Sequence, residues 1–197
     1  PPVDIGLESH IYGWQHAKEG TASAPQTLDF SHYISSSYEC TVAEMDLILR
    51  EVPLQYGFAP DEWNPMADCF LPKKEDNLIP DTMRTICLMD AAYNMNAKWY
   101  GRQFMSHNER LNTLSDDQGG GRKNKNCPEY ILKKVLTADI SKPKRQAGFL
   151  CSNDAIQCYD RVVHSVAMLS MLRLGADRNA IASLFKQLQQ SEHFVTT

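Results

Sequence analysis

Asn153-Asp154-Ala155-Ile156-Gln157-Cys158-Tyr159-Asp160-Arg161 decides how this chain is read. The apolar run from Ala147 to Asn153 predicts a short buried strand that ends at Asp154. Val162, Val166, Leu169 and Leu172 then recur at i, i+4, i+7 and i+10, a helix that Gly175 can terminate. A carboxylate at the end of a rigid strand can hold a hard divalent cation such as Mg²⁺, which takes oxygen ligands. By spacing alone, Asp154 and Asp160 say little. An Asp that caps the following helix would look the same.

Downstream, Asp177 can cap a second helix with Ile181, Leu184, Phe185 and Leu188 on one face, and His193–Thr197 begins a strand. Upstream, residues 128–138 are helical after Pro128, with Ile131, Leu132, Val135 and Leu136 apolar. The run Asp116-Asp117-Gln118-Gly119-Gly120-Gly121 breaks regular structure, and no G-K-[ST] follows it, so it is not a P-loop. A long helix covers roughly 90–111, with Ala91, Met95, Trp99 and Phe104 buried. Met66–Pro72 and Met83–Leu88 predict two strands joined by a charged loop. Thr41-Val42-Ala43-Glu44 is a capping box, with Met45, Ile48 and Leu49 following at helical spacing; that helix should end before Pro53. Residues 57–65 read as a turn-rich connector, and residues 1–37, rich in Ser, Thr, Pro and Gly, as loop.

The chain has 197 residues, 43% of them hydrophobic and 22% charged, as in ordinary globular proteins. No run of 18 apolar residues argues for a membrane span. The N-terminus, Pro1-Pro2-Val3-Asp4, carries neither a starting Met nor a signal pattern, and predicts a longer reading frame. Six cysteines, none in a C-x-x-C pair and none at zinc-template spacing, predict reduced thiols and an intracellular protein, nuclear or cytoplasmic being left open. The histidines show no ligand spacing either. The net charge of −4 argues against a generally basic nucleic-acid binder. Yet eight of the 20 Lys and Arg fall within residues 122–145, opposed there only by Glu129 and Asp139. Such a run is a solvated face or a phosphate-contacting one.

The segment Asp154-Ala155-Ile156-Gln157-Cys158-Tyr159-Asp160-Arg161-Val162-Val163-His164 resembles the first catalytic motif of reverse transcriptases of the non-LTR retrotransposon and group II intron type. Leu71-Pro72-Lys73-Lys74, then Arg84-Thr85-Ile86-Cys87-Leu88, then Lys98 resemble that family's fingers segment, with Thr85 in place of the usual Pro. Asp117-Gln118-Gly119-Gly120-Gly121-Arg122-Lys123 resembles its Gln-x-Gly segment, where Gly121 is atypical. Leu172-Arg173-Leu174-Gly175 and the helix after it also resemble the family. These segments span about residues 63–197, in order.

The resemblance implies an α/β (α+β) fold: reverse-transcriptase fingers over residues 63–146, the first part of a palm over 147–197, and an N-terminal helical and loop extension over 1–62. It implies an RNA-directed DNA polymerase, a nucleotidyltransferase extending a DNA primer on an RNA template with dNTPs. Two Mg²⁺ ions, about 3.5–4 Å apart, would act on the attacking and leaving oxygens. Asp154 would be the catalytic metal ligand, helped by the Ala155 carbonyl. Tyr159 would be the steric gate against a ribose 2′-hydroxyl, and Asp160 structural. Lys73 or Lys74 with Arg84 would hold the triphosphate; a hairpin with surface charges is the alternative. Gln118, Gly119 and Gly120 would lie on the template backbone, with Arg122, Lys123 and Lys125 on phosphates; a flexible loop beside a solvated basic patch is the alternative. The family's aromatic-x-Asp-Asp turn is not among these residues, so the chain is expected to be a fragment inactive by itself. Tyr159 argues against an RNA-dependent RNA polymerase, which usually carries a second Asp near that position. A decayed or domesticated, non-catalytic nucleic-acid-binding relic is the other reading.

Overall fold

The computed structural model describes residues 3–25, 27–73, 83–145 and 161–196. Among these the chain is mixed: seven α-helices and a three-stranded sheet. It divides into two compact units, Pro1–Phe104 with His164–Thr197, and Met105–Val163.

In the first unit, β1 (Pro65–Pro72) pairs antiparallel with β2 (Met83–Leu88), the hairpin that the two apolar runs predict. β3 (Glu192–Thr196) adds to the other edge of β1 in parallel, giving the order β2-β1-β3. Met66 and Ala67 are buried where β1 enters the sheet, while Phe70 and Leu71 are exposed toward its far end.

Residues 1–37 are not the loop that their composition suggests. They hold α1 (Leu7–Gln15) and α2 (Phe30–Ser36). Two buried residues at i, i+4 anchor α1, and one of them is a histidine: His10 and Trp14. In α2, Asp29 and His32 form a reciprocal capping box, with the Asp29 N–H donating to His32 Nδ1 at 3.2 Å. Trp14 stacks on Tyr33 with ring centroids 4.5 Å apart and packs against Phe30, Ala91 and Met95. This cluster binds both short helices to α4 (Ala91–Arg110), the long helix expected over 90–111.

α3 (Cys40–Tyr56) runs through Pro53 instead of stopping before it. A proline inside a helix costs about 3 kcal/mol. Full burial of Leu54, which follows it, contributes about 1.5–3 kcal/mol in return. The helix ends at Gly57, whose φ of 73° lets its N–H close on the Pro53 carbonyl at 2.9 Å. The helix carries the period that the sequence predicts, but its spaced apolar residues do not face the core. Met45, Ile48 and Leu49 are 61%, 59% and 70% exposed, whereas Ala43, Arg50 and Leu54 are buried.

After α6 (His164–Arg173), Gly175 takes a φ of 83° and donates to the Leu172 carbonyl, the helix stop read from the sequence. The Asp177 carboxylate caps α7 (Arg178–Gln190) by accepting from the N–H groups of Asn179 and Ala180. The helix buries Ile181 and Leu184. It is fastened by Gln187 Nε2 donating to the Trp63 carbonyl at 2.8 Å and Asn179 Nδ2 donating to the Gln55 carbonyl at 2.6 Å. The Tyr93 hydroxyl donates to the Leu184 carbonyl, and burial pushes that phenol up to about 12.

The second unit contains the end of α4, the glycine-rich loop and α5 (Cys127–Ser141), which starts after an Asn126 cap with Pro128 in its first turn. No residue of α5 is buried: Ile131, Leu132, Val135, Leu136 and Ile140 are all at least half exposed. Among the described residues, no helix is long and apolar enough to cross a membrane.

Candidate functional site

Two of the expected triphosphate-binding residues lie within the described chain. The β1–β2 register pairs Leu71 with Arg84 and Pro72 with Met83. Directly opposed residues share a face, and alternate residues along a strand return to it. Arg84 is therefore on the face of Leu71; Lys73 directly follows the last residue of β1, Pro72, and both cations are exposed at that end of the hairpin. Lys74 of the same group lies outside the described residues, as do Asp154, Ala155, Tyr159 and Asp160.

In the second unit, the glycine-rich loop is tied to its neighbours by its own side chains. Arg122 forks onto Glu109 at the end of α4, with Nε 2.6 Å from Oε1 and one terminal nitrogen 2.8 Å from Oε2. Its other terminal nitrogen donates to the carbonyls of Ser115 and Gln118. The fork holds the Glu109 carboxyl below its ordinary range and raises the Arg122 guanidinium. The Tyr130 hydroxyl of α5 donates to the carbonyls of Asp116 and Gln118, each at 3.3 Å. Gly119 lies over that ring, where an added Cβ would collide with it. The close approach that only glycine allows is therefore made to Tyr130.

Gln118 reaches the Gly120 carbonyl at 3.4 Å, Lys125 is 3.6 Å from Glu129, and Lys133 is 3.0 Å from Asp117. Lys123 and Lys134 are exposed. The basic stretch thus divides into an arginine that holds the loop closed, Lys125, Lys133 and Lys142 each beside a carboxylate, and the exposed Lys123 and Lys134.

The hairpin sheet also brings together a group that the sequence does not announce. The Cys87 thiol donates to Asp68 Oδ1 at 3.0 Å, and His193 Nδ1 lies 3.0 Å from Asp68 Oδ2. Each residue comes from a different strand, 19 and 125 positions apart from Asp68, so no short-range motif could reveal them. Their donor atoms all lie within 4.8 Å of one another. Sulfur and imidazole are poor partners for Mg²⁺, so this group does not suit the ion expected at Asp154.

A cleft of ≈ 660 Å³ opens between α1, α3 and α4, with Arg50, Lys98, Trp99 and Arg102 in its walls. Arg50 is only 2% exposed. It donates from Nε to Asn96 Oδ1 at 2.9 Å and from one terminal nitrogen to His10 Nδ1 at 2.8 Å. His10 Nε2 faces Asp46 Oδ2 at 3.0 Å, off the line of a full hydrogen bond, and Trp14 Nε1 donates to the same oxygen. Burial lowers the Arg50 guanidinium to about 10, with Asp46 opposing the shift. The composition of residues 1–37 hid this network, because its members are spread over three helices.

Comparison with models of known families and with curated proteins gave no match.

Proposed function

We propose that this chain is part of an RNA-directed DNA polymerase and contributes the triphosphate-binding hairpin and the first catalytic carboxylate. The observation that carries the proposal is the run Asp154–Arg161 with an aromatic at Tyr159, preceded in order by Lys73, Arg84 and the Gln118–Gly120 segment. The hairpin supports it, since Arg84 near the start of β2 and Lys73 just after the end of β1 lie at the same end of β1–β2. A planar guanidinium and an ammonium there suit the oxygens of a dNTP triphosphate. Asp154 and the Ala155 carbonyl would hold two Mg²⁺ ions, which would supply positive charge at the attacking and leaving oxygens. Tyr159 would exclude a 2′-hydroxyl by contact. Lys123 and Lys125 would meet template phosphates, while Arg122 would shape the loop that presents Gln118, Gly119 and Gly120.

Photo-crosslinking of a dNTP to the chain in Mg²⁺ tests this. Crosslinks should map to the hairpin, be competed by all four dNTPs, and be competed poorly by rNTPs. Losing a charge-assisted contact of about 1.5–3 kcal/mol should weaken labelling about 10- to 100-fold in Arg84→Ala. Absent labelling, or labelling unchanged in Arg84→Ala, would sink the proposal. Binding of an RNA–DNA hybrid without any nucleotide selectivity would favour the non-catalytic relic.

A further inference from the structure

We propose that Asp68, Cys87 and His193 form a site for a borderline-soft divalent cation of the zinc class, on the face of the sheet opposite Arg84. The strand register puts them there. Asp68 is directly opposed to Cys87, and His193 is the parallel partner of Met66, two residues before Asp68. Alternation then sets all three on one face, with Leu71 and Arg84 on the other.

The donor set is one thiolate, one imidazole nitrogen and one carboxylate. Zn²⁺ takes these ligands in a tetrahedron, at about 2.0–2.3 Å from each, and three protein ligands leave one position open. Donors of such a tetrahedron lie roughly 3–4 Å apart; here one Asp68 oxygen, Oδ1, lies 3.0 Å from the Cys87 sulfur and 3.2 Å from His193 Nδ1, and one donor atom from each residue falls within 4.8 Å of the others.

The hydrogen bonding of His193 points to a cation. The Ser191 hydroxyl donates to the Leu188 carbonyl at 3.1 Å, which leaves its oxygen to accept from His193 Nε2 at 3.1 Å. In the tautomer with its proton on Nε2, the Nδ1 lone pair faces the Asp68 carboxylate at 3.0 Å, and a cation seated between them would meet both donors. Ser191 is in this respect the outer partner that orients a ligating histidine. On metal binding, the Cys87 thiol would lose its proton to solvent, and the thiolate, Nδ1 and an Asp68 carboxylate oxygen would be the three protein ligands.

The site is independent of the nucleotide reading and is tested separately. The full chain, stripped with a chelator, is titrated with Zn²⁺ and, in parallel, with Co²⁺. One ion should bind per chain, with a thiolate-to-cobalt charge-transfer band, and excess Mg²⁺ should not displace it. The band should vanish in Cys87→Ser and affinity should fall at least about tenfold in His193→Gln. Cys69→Ser, on the opposite face, should bind as the unaltered chain does.

Alkylation mapped by mass spectrometry needs no variant: Zn²⁺ should shield Cys87 and leave the exposed Cys40 reactive. Sub-stoichiometric binding, a cobalt spectrum without the thiolate band, or a Cys87 that zinc fails to shield would each overturn the site.

Discussion

Replacing Arg50 by alanine should be the most damaging single change in the first unit. The guanidinium gives one hydrogen bond to Asn96 and one to His10, and it sits 5.2 Å over the Trp14 ring. Hydrogen bonds from a charged donor contribute about 1.5–3 kcal/mol each, and a desolvated cation–π contact about 2 kcal/mol. Against these stands the cost of burying the ion, which is what lowers its pKa. Truncating one member of such a buried set typically costs about 3–5 kcal/mol, because its partners keep their desolvation without their bond.

Trp14 reports the event directly, being stacked on Tyr33 within the same cluster. With a urea slope of about 2 kcal/mol/M, the midpoint followed by tryptophan fluorescence should fall by about 1.5–2.5 M. The Arg50→Ala/Asn96→Ala cycle should return a coupling of about 0.5–3 kcal/mol. Between about 10 and the ordinary arginine range above it, the unfolded chain holds a proton that the folded one has lost. Stability from this residue therefore rises with pH only in that alkaline window. An assay at pH 7 compares a fully charged guanidinium with none. A midpoint shift below about 0.5 M would refute the view of Arg50 as the organising group of α1, α3 and α4.

Two further outcomes are expected. Asp90 is buried, and its carboxyl is raised by desolvation although it accepts the Tyr93 N–H at 2.9 Å. A raised folded pKa means stability present at low pH and lost as pH rises through that pKa. Asp90→Asn keeps the cap acceptor and removes the charge. It should therefore stabilise at pH 7, with the gain closing toward pH 4, and urea melts at both pH values check this. In Gly119→Ala the new methyl meets the Tyr130 ring, and overpacking of this kind costs about 1–3 kcal/mol. Limited proteolysis should cut residues 113–126 faster in that variant, with the first unit's tryptophan melt unchanged.

Much of the fold was legible because its signals are local. The β1–β2 hairpin, α4, the Asp177 cap and the Gly175 stop each follow from residues within one element. The sequence failed where a tertiary contact overrides a local rule. Pro53 is carried inside α3 by the burial of Leu54 and the Gly57 cap. The inward face of α3 is chosen by Arg50, which no hydrophobic pattern would select. α1 was missed because one of its two anchors is a histidine. For the candidate sites, the hairpin end with Lys73 and Arg84 could be read from its two strands. The Asp68–Cys87–His193 group could not, since its members meet only when the third strand docks. Arg122 was recognised as a basic residue, but its partner Glu109 lies on another element and changes what its charge does.

The parallel pairing of β1 with β3 also governs when this sheet can exist. Asp68 leaves the ribosome long before His193, 125 residues later, an interval of about 6–25 s at ordinary synthesis rates. Throughout it, the edge of β1 that β3 will cover has no strand to pair with. That edge includes Met66, Ala67, Asp68 and Cys69, an apolar segment with a single charge. A bare strand edge is a template for other chains. Co-translational aggregation should therefore be sensitive to elongation speed, and slowing translation between residues 70 and 192 should lower the soluble yield more than slowing it elsewhere.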